Sequence, residues 1–279
     1  MNVIRAKTAG FCMGVSLALQ KLDSILHRRS RICTLGPIIH NPQVLAAYEK
    51  RGVFCVQTPP ELGKDDHVVI RAHGIPRQEE ERTRASGATV VDATCPRVKK
   101  AQTAIARATR RGATLLLFGE AEHPEVQGLI SYAHGHSLVF SSQAELKKFC
   151  LAEEQPHVLA SQTTQDKETF LQLERMLRNR LPKLTVLSTI CDATRSRQEE
   201  ARDIAAMVDV MVVVGGRQSG NTRRLADVAA LSGIETILVE SADELDRKNF
   251  LQKTRAGLTA GASTPKSLID AAELWLASL

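Results

Sequence analysis

The segment ATVVDATCPRVKKAQTAIARATRRGATLLLFGEAEHPEV, residues 88–126, decides the fold. Its β-branched start predicts a strand that ends before Cys95, and Pro96 then marks the first turn of a helix. Apolar side chains recur through that helix at i, i+3 and i+4 spacing. A second apolar run, residues 113–118, ends at a polar turn. This order predicts a βαβ unit with polar side chains placed where its strands end.

The plan of this segment occurs three times along the chain. Three cysteines each lie between a short extended run and a helical pattern, and they are Cys12, Cys95 and Cys191. A hydrogen-bonding residue follows each of them at a distance of 28 positions, and these residues are His40, His123 and Ser219. The repeat predicts an α/β protein made of three similar units with small parallel sheets.

The repeats also predict the domain boundaries. The first unit comprises residues 12–94, the second residues 95–190 and the third residues 191–279. The third repeat ends in a helix without a final strand, whereas residues 1–11 contain a strand that belongs to no earlier repeat. We predict that this strand completes the third sheet and closes the units into a pseudo-threefold trefoil. Such a ring would bring the three repeated cysteines to a common centre.

Composition argues against several classes of protein. The chain has 279 residues, 43% of them hydrophobic, and a net charge of +6. No apolar run approaches the ~20 residues that cross a bilayer, and we expect no signal peptide. Six cysteines in such a chain predict a reducing compartment, the cytoplasm, rather than disulfides. Basic residues interleave with acids, as in residues 197–202, and aromatic residues make up only 4%, so we predict solvated helix faces rather than a nucleic-acid surface.

The cysteines fall into two sets. Those beside apolar runs are expected to be small buried hydrophobic residues, and they are Cys33, Cys55 and Cys150. The three repeated cysteines instead start helices, where the helix dipole stabilises a metal-binding thiolate. A structural zinc site takes four ligands, whereas three thiolates can hold a 4Fe–4S cluster with one iron open to substrate. The alternative is three unrelated cysteines at helix starts.

Polar residues at the strand ends would surround such a centre. They are neutral or cationic hydrogen-bonding groups, namely His40, His73, His123, Ser219, Asn221 and Ser263. A set of this kind without a carboxylate predicts a clamp for an anion, phosphate in particular. The standard nucleotide-binding loops do not occur in the sequence. Taken singly, each histidine is more typical of a structural role.

Glu125 is the one carboxylate at an equivalent position. It lies 30 residues after Cys95, as Asn221 lies 30 residues after Cys191. A lone carboxyl group beside a metal-bound oxygen can deliver a proton, and the hydroxyl of Thr163 can relay it. The alternative is a glutamate at a helix start that the dipole favours.

Several motifs, taken together, resemble one family. They are GFC at 10–12, HNP at 40–42, RAHG at 71–74, DATCP at 92–96, HPEV at 123–126, QTT at 162–164, TICDAT at 189–194 and GAS at 261–263. In this order they are similar to the 4-hydroxy-3-methylbut-2-enyl diphosphate reductases, iron–sulfur enzymes of the non-mevalonate isoprenoid pathway. The resemblance extends from residue 10 to about residue 265.

The resemblance implies an oxidoreductase that reductively dehydroxylates (E)-4-hydroxy-3-methylbut-2-enyl diphosphate to isopentenyl diphosphate and dimethylallyl diphosphate. It implies that one 4Fe–4S cluster is held by Cys12, Cys95 and Cys191. It further implies that Glu125 supplies protons with the help of Thr163. The residues implied to bind substrate are His40, His73, His123, Thr163, Ser219, Gly220, Asn221 and Ser263. Gly220 replaces a serine common in the family, which leaves only its backbone N–H for this contact.

Two alternatives remain open at this point. Quinolinate synthase also resembles a three-unit, three-cysteine cluster protein, although its motifs do not match those quoted. A cluster-sensing regulator would bind nucleic acid, but the sequence shows no helix-turn-helix or basic recognition arm. Because the sequence carries no flavin or ferredoxin domain, we expect a separate electron donor of the ferredoxin or flavodoxin type. We expect neither nucleic acid nor a membrane as a partner.

Overall fold

The computed structural model describes residues 1–28, 30–57 and 62–279. The strands of this part of the chain are β1 Asn2–Arg5, β2 Ile32–Leu35, β3 Val53–Val56, β4 His67–Ile70, β5 Thr89–Asp92, β6 Thr114–Phe118, β7 Ser137–Phe140, β8 His157–Ser161, β9 Leu184–Val186, β10 Val210–Val214, β11 Glu235–Val239 and β12 Arg255–Ala260. Its α-helices are α1 Met13–Asp23, α2 Pro42–Glu49, α3 Arg77–Ala85, α4 Pro96–Thr109, α5 Pro124–Ile130, α6 Gln143–Leu146, α7 Lys167–Arg178, α8 Asp192–Ala205, α9 Gly220–Ala230 and α10 Lys266–Ala277. In this part of the chain no helix is both long and apolar enough to cross a membrane.

The strands form three four-stranded parallel sheets with one common order. The first sheet runs β3-β2-β4-β5, the second β7-β6-β8-β9 and the third β11-β10-β12-β1. The N-terminal strand β1 therefore takes the place in the third sheet that β5 and β9 take in the others, and it pairs with β12 from Asn2↔Arg255 to Arg5↔Leu258. The predicted α/β class with three repeated parallel sheets is confirmed.

The described residues group into two compact units. The first, which we call the one-sheet unit, comprises residues 1–16, 39–48 and 192–279 and contains the third sheet. The second, the two-sheet unit, comprises residues 17–38 and 49–191 and contains the first and second sheets. The three domains expected from the repeats stay a prediction.

Strand β10 shows why the central strands are apolar along their whole length. All of its residues, VMVVV, are buried. Val210, Val212 and Val214 pack in one cluster with residues of α10, whereas Met211 and Val213 pack in another with residues of α8 and α9. Successive side chains of a strand point to opposite faces, and helices cover both faces of this sheet. The strand therefore lacks the polar alternation of a half-exposed sheet.

Gly257 of β12 lets α8 approach the third sheet closely. A Cβ atom at this position would lie 2.7 Å from Cγ2 of Ile204 and would also overlap the sulfur of Met211. A glycine in a strand interior often marks such a close approach. Its position fixes how tightly α8 packs, and α8 carries residues that hold the segment before Cys12.

Candidate functional site

Two of the repeated cysteines lie in the two-sheet unit, each at the start of a helix. Cys95 is the N-cap of α4, followed by Pro96 in the first turn, and its N–H donates to the carbonyl of Ala72 at 2.9 Å. Cys191 immediately precedes α8, and its N–H donates to the carbonyl of Thr163 at 3.0 Å. Neither forms a disulfide, and both are partly exposed. Their thiol groups therefore have access to a ligand while their backbones are held by neighbouring loops.

His73 and His123 of the same unit contact each other. Their ring centroids are 5.4 Å apart and the rings are perpendicular. His123 is the N-cap of α5, where its Nδ1 accepts a hydrogen bond from the N–H of Glu125 at 3.1 Å. Because Nδ1 is the acceptor, the neutral ring carries its proton on Nε2. His123 therefore presents an N–H donor on the side away from α5.

Glu125 is buried, and its carboxyl group hydrogen-bonds to Thr163. Its side chain is only 1% exposed. One carboxyl oxygen accepts from the N–H of Thr163 at 2.6 Å, and the other pairs with the hydroxyl of Thr163 at 2.9 Å. Burial raises the pKa of Glu125 to about 7, although both hydrogen bonds from Thr163 act to lower it. A carboxyl group with this pKa can hold a proton and release it near neutral pH.

These contacts link six of the candidate residues into one group in the two-sheet unit. The rings of His73 and His123 touch, His123 accepts from Glu125, Glu125 pairs with Thr163, and the carbonyl of Thr163 accepts from Cys191. Cys95 joins through the N–H that it donates to Ala72, the residue before His73.

The one-sheet unit holds the other candidates. The N–H of Cys12 donates to the carbonyl of Ala262 at 3.1 Å, and its sulfur accepts from the N–H of Val15 at 3.5 Å. The hydroxyl of Ser263, one residue after Ala262, donates to the backbone carbonyl of His40 at 3.0 Å. These contacts bring the GFC, GAS and HNP segments together at one edge of the third sheet.

The start of α9 carries the remaining predicted ligands. Ser219 is the N-cap, and its hydroxyl accepts from the N–H of Thr222 at 3.3 Å. Gly220 and Asn221 form the first turn and are buried. The side-chain NH₂ of Asn221 has no hydrogen-bond partner among the described residues. Because a buried donor without a partner is costly, this NH₂ group points to a ligand with acceptor oxygens.

Two residues without a predicted role share this feature. Asn41 accepts from the N–H of Val44 at 2.9 Å, yet its own NH₂ group is buried without a partner in the described part of the chain. Gln162 accepts from the N–H of Glu120 at 3.2 Å, and its NH₂ group is likewise unpaired within the described residues. Both lie in motifs quoted above, HNP and QTT, so the motifs contained a signal that the reading of single residues missed.

Arg197 corrects the expectation of solvated basic faces. The sequence predicted that residues 197–202 lie on an exposed face, but Arg197 is only 5% exposed. Its guanidinium donates to the carbonyl of Gly10 at 2.6 Å and to that of Ala260 at 3.2 Å. The signal was available, because Ala201 and Ile204 share its helix face at i+4 and i+7 and both are buried. Arg197 thus holds the segment that leads into Cys12.

The expectation for the other cysteines was partly wrong. Cys33 is 1% exposed, as expected of a buried hydrophobic residue. Cys55 and Cys150 are exposed. Cys55 lies on β3, an edge strand of the first sheet, and Cys150 lies beyond α6 outside any strand. An apolar run at a sheet edge is covered on fewer sides than one at its centre, which sequence pattern alone does not reveal.

Known proteins match this chain along almost its whole length. The family model described as LytB protein matches residues 3–276. A relative from Desulfovibrio desulfuricans is 70% identical, one from Nitratidesulfovibrio vulgaris is 58% identical, and each match covers 100% of both chains. Both are named 4-hydroxy-3-methylbut-2-enyl diphosphate reductase.

Solved structures show the same fold. The E-1-hydroxy-2-methyl-but-2-enyl-4-diphosphate reductase of Plasmodium falciparum superposes with a TM-score of 0.92 at 24% identity, covering 96% of this chain and 86% of that one. A second structure is described as (E)-4-hydroxy-3-methyl-but-2-enyl diphosphate reductase, the terminal enzyme of the non-mevalonate pathway. It is 37% identical with a TM-score of 0.71 and covers 100% of this chain and 99% of its own.

Replacing Arg197 by methionine is expected to destabilise the protein. The change leaves the carbonyls of Gly10 and Ala260 buried without this donor, which costs about 1–3 kcal/mol of unfolding free energy. The matched control is Arg195→Met on the same helix, where the side chain is exposed and forms only a 3.8 Å ion pair with Glu199. Urea denaturation of both variants measures the difference. Equal stability of the two variants would show that Arg197 does not hold this segment.

The pKa of Glu125 predicts a specific pH dependence of stability. The folded protein binds a proton at Glu125 up to about pH 7, whereas the free carboxyl group ionises near 4.5. The stability contributed by this group is therefore complete below about pH 4.5 and is lost as the pH rises to about 7.

The free energy of unfolding of Glu125→Gln, relative to that of the native chain, should accordingly rise by roughly 3 kcal/mol between pH 4.5 and 7.5. Urea denaturation across this range measures the change. Glu122→Gln, an exposed position in the turn before α5, is the matched control. A constant difference for Glu125→Gln would mean that folding does not raise the pKa of Glu125.

Proposed function

The chain belongs to the LytB family, which its match over residues 3–276 shows, and we propose that it reductively dehydroxylates (E)-4-hydroxy-3-methylbut-2-enyl diphosphate. The products are isopentenyl diphosphate and dimethylallyl diphosphate. The identity of 70% over the whole length of a relative named as this reductase supports the substrate. The observation that carries the chemistry is the buried carboxyl group of Glu125, held by Thr163 with a pKa of about 7.

The reaction requires both electrons and protons. One C–O bond breaks and one C–H bond forms, while two electrons and two protons enter and one water molecule leaves. We propose that Glu125 supplies protons to this reaction. A carboxyl group with a pKa near 7 can donate its proton and take up another at neutral pH. The hydroxyl of Thr163 is hydrogen-bonded to this carboxyl group, so it orients the group and its oxygen can relay the proton.

We propose that the cofactor is one 4Fe–4S cluster with Cys12, Cys95 and Cys191 as its protein ligands. Each of these residues is a partly exposed cysteine outside any disulfide that directly precedes a helix, which favours the thiolate form. When bound, the cluster supplies the electrons and a Lewis-acidic iron for the substrate hydroxyl. The three remaining cysteines do not share this setting, since Cys33 is buried and Cys55 and Cys150 are exposed away from helix starts.

The diphosphate has its own set of proposed contacts. In the two-sheet unit they are His73 and the Nε2–H of His123, together with the hydroxyl of Thr163. In the one-sheet unit they are the residues His40, Ser219, Gly220, Asn221 and Ser263. The unpaired NH₂ group of Asn221 supports this assignment most directly, because phosphate oxygens are acceptors without donors of their own. Gly220 contributes through its backbone N–H in the first turn of α9.

The alternatives considered from the sequence are less well supported. The whole length of the chain matches relatives named as the diphosphate reductase, which favours this enzyme over quinolinate synthase. A cluster-sensing regulator is less well supported, because a buried titratable carboxyl group is typical of a catalytic site. We propose a cytoplasmic enzyme that receives its electrons from a separate donor of the ferredoxin or flavodoxin type.

Anaerobic turnover tests the proposed reaction. Cluster-reconstituted protein incubated with the hydroxylated diphosphate and reduced methyl viologen should form both C5 diphosphates, measured by mass spectrometry. Glu125→Gln should lower the turnover number by about 10²–10⁴-fold while the visible absorbance of the cluster stays unchanged. Glu122→Gln, which is exposed three residues earlier, should remain near the native rate. If neither product appears with the native chain, the assigned reaction is wrong.

Iron and sulfide analysis tests the ligands separately from activity. Cys95→Ser should lose cluster iron and absorbance after anaerobic reconstitution, because the serine hydroxyl stays protonated at neutral pH and its oxygen is a harder ligand than thiolate. Cys150→Ser, which removes an exposed cysteine of the same unit, should bind as much iron as the native chain. Iron loss in the second variant, or none in the first, would contradict the proposed set of ligands.

A further inference from the structure

Helix α4 and the residues just after it form a basic surface with no acid of its own. Residues 96–111 contain six basic side chains and no aspartate or glutamate, and the basic ones are Arg97, Lys99, Lys100, Arg107, Arg110 and Arg111. Lys99 pairs with Glu80 at 3.2 Å and with Asp92 at 3.0 Å. Lys100 and Arg107 are exposed and form no ion pair with any residue that the structure describes. This helix therefore departs from the interleaved charges expected of the chain.

A groove lies along this helix in the two-sheet unit. Its volume is about 830 Å³, and its lining residues include Lys99, Lys100 and Arg107 at the basic side with Ala104, Ala108 and Leu187 as the apolar part. We call it the α4 groove. An apolar floor with charged residues around it is the usual anatomy of a protein-binding surface, and a short-lived redox complex needs only a small one.

The α4 groove begins beside Cys95, one of the proposed cluster ligands. Pro96, which lines it, directly follows Cys95, and Leu187 lies four residues before Cys191. With a helical rise of 1.5 Å per residue, Lys100 lies roughly 8 Å and Arg107 roughly 18 Å along α4 from Cys95. Electron transfer between proteins weakens steeply with distance, so a carrier must dock close to the centre that it reduces. A partner in this groove would meet that requirement.

We propose that the α4 groove is the docking surface for a small acidic one-electron carrier of the ferredoxin type. This inference rests on the proposed function, which needs two electrons per turnover from outside the chain. Charge complementarity selects the partner, because unpaired Lys100 and Arg107 attract an acidic surface and steer its approach. Nucleic acid fits less well, since no aromatic side chain lines the groove to stack on bases.

Charge reversal at the groove tests the surface. Lys100→Glu/Arg107→Glu in the cluster-loaded protein should weaken binding of an acidic bacterial ferredoxin at least about tenfold at low ionic strength, mainly through slower association. The matched control is Lys147→Glu/Lys148→Glu, which makes the same change of charge at exposed positions of the same unit. Its affinity should stay within about twofold of the native value. Biolayer interferometry over a range of salt concentrations measures both.

A second measurement separates docking from catalysis. With reduced methyl viologen as donor, both double variants should keep the native turnover and iron content, because a small reductant needs no docking surface. If both double variants bound ferredoxin equally weakly, net charge alone would explain the effect. If Lys100→Glu/Arg107→Glu bound ferredoxin as tightly as the native chain, the α4 groove would not be the docking surface. A response to an acidic flavodoxin but not to ferredoxin would overturn the carrier type. Absence of viologen-driven turnover in the native chain would instead refute the proposed reaction. The binding data would still show whether ferredoxin docks in the α4 groove.

Discussion

Parallel strand pairing is the constraint on which the candidate site depends. All strands of a sheet run in one direction, so the polar segments that follow them meet at one edge. In the second sheet β6 and β8 are neighbours, paired from Thr114↔His157 to Phe118↔Ser161. The segment after β6 leads into α5, whose first turn carries Glu125, and the turn after β8 carries Thr163. The register thus places the two residues where they can hydrogen-bond.

Burial then changes what that glutamate can do. An exposed glutamate is ionised at neutral pH and is a poor proton donor. The surrounding structure removes water from Glu125 and raises its pKa to about 7, even though Thr163 donates to both carboxyl oxygens. The opposing effects leave a carboxyl group whose proton is available near neutrality.

Basic side chains on two helices acquire different roles. Arg197 on α8 faces the third sheet and donates to two backbone carbonyls, whereas Lys100 and Arg107 on α4 face solvent along a groove. The charges of a helix do not show which of its basic side chains is buried, although α8 carries acids and α4 carries none. Helical period does, because Arg197 shares a face with buried Ala201 and Ile204. Charge pattern alone therefore predicted wrongly that Arg197 is exposed, whereas the helical period predicts that it is buried.

The sequence by itself determined the repeated order of strands, cysteines and helices, and with it the α/β class and the three sheets. Those features depend on local signals such as apolar runs, Pro96 at a helix start and the fixed spacing after each cysteine. Only the tertiary structure decided that Cys55 is exposed, that Arg197 donates to the carbonyl of Gly10 and that Glu125 titrates near neutrality. The physical reason is distance along the chain: Glu125 meets Thr163 across 38 positions and Arg197 meets Gly10 across 187, so these partners are brought together by packing that no local pattern encodes.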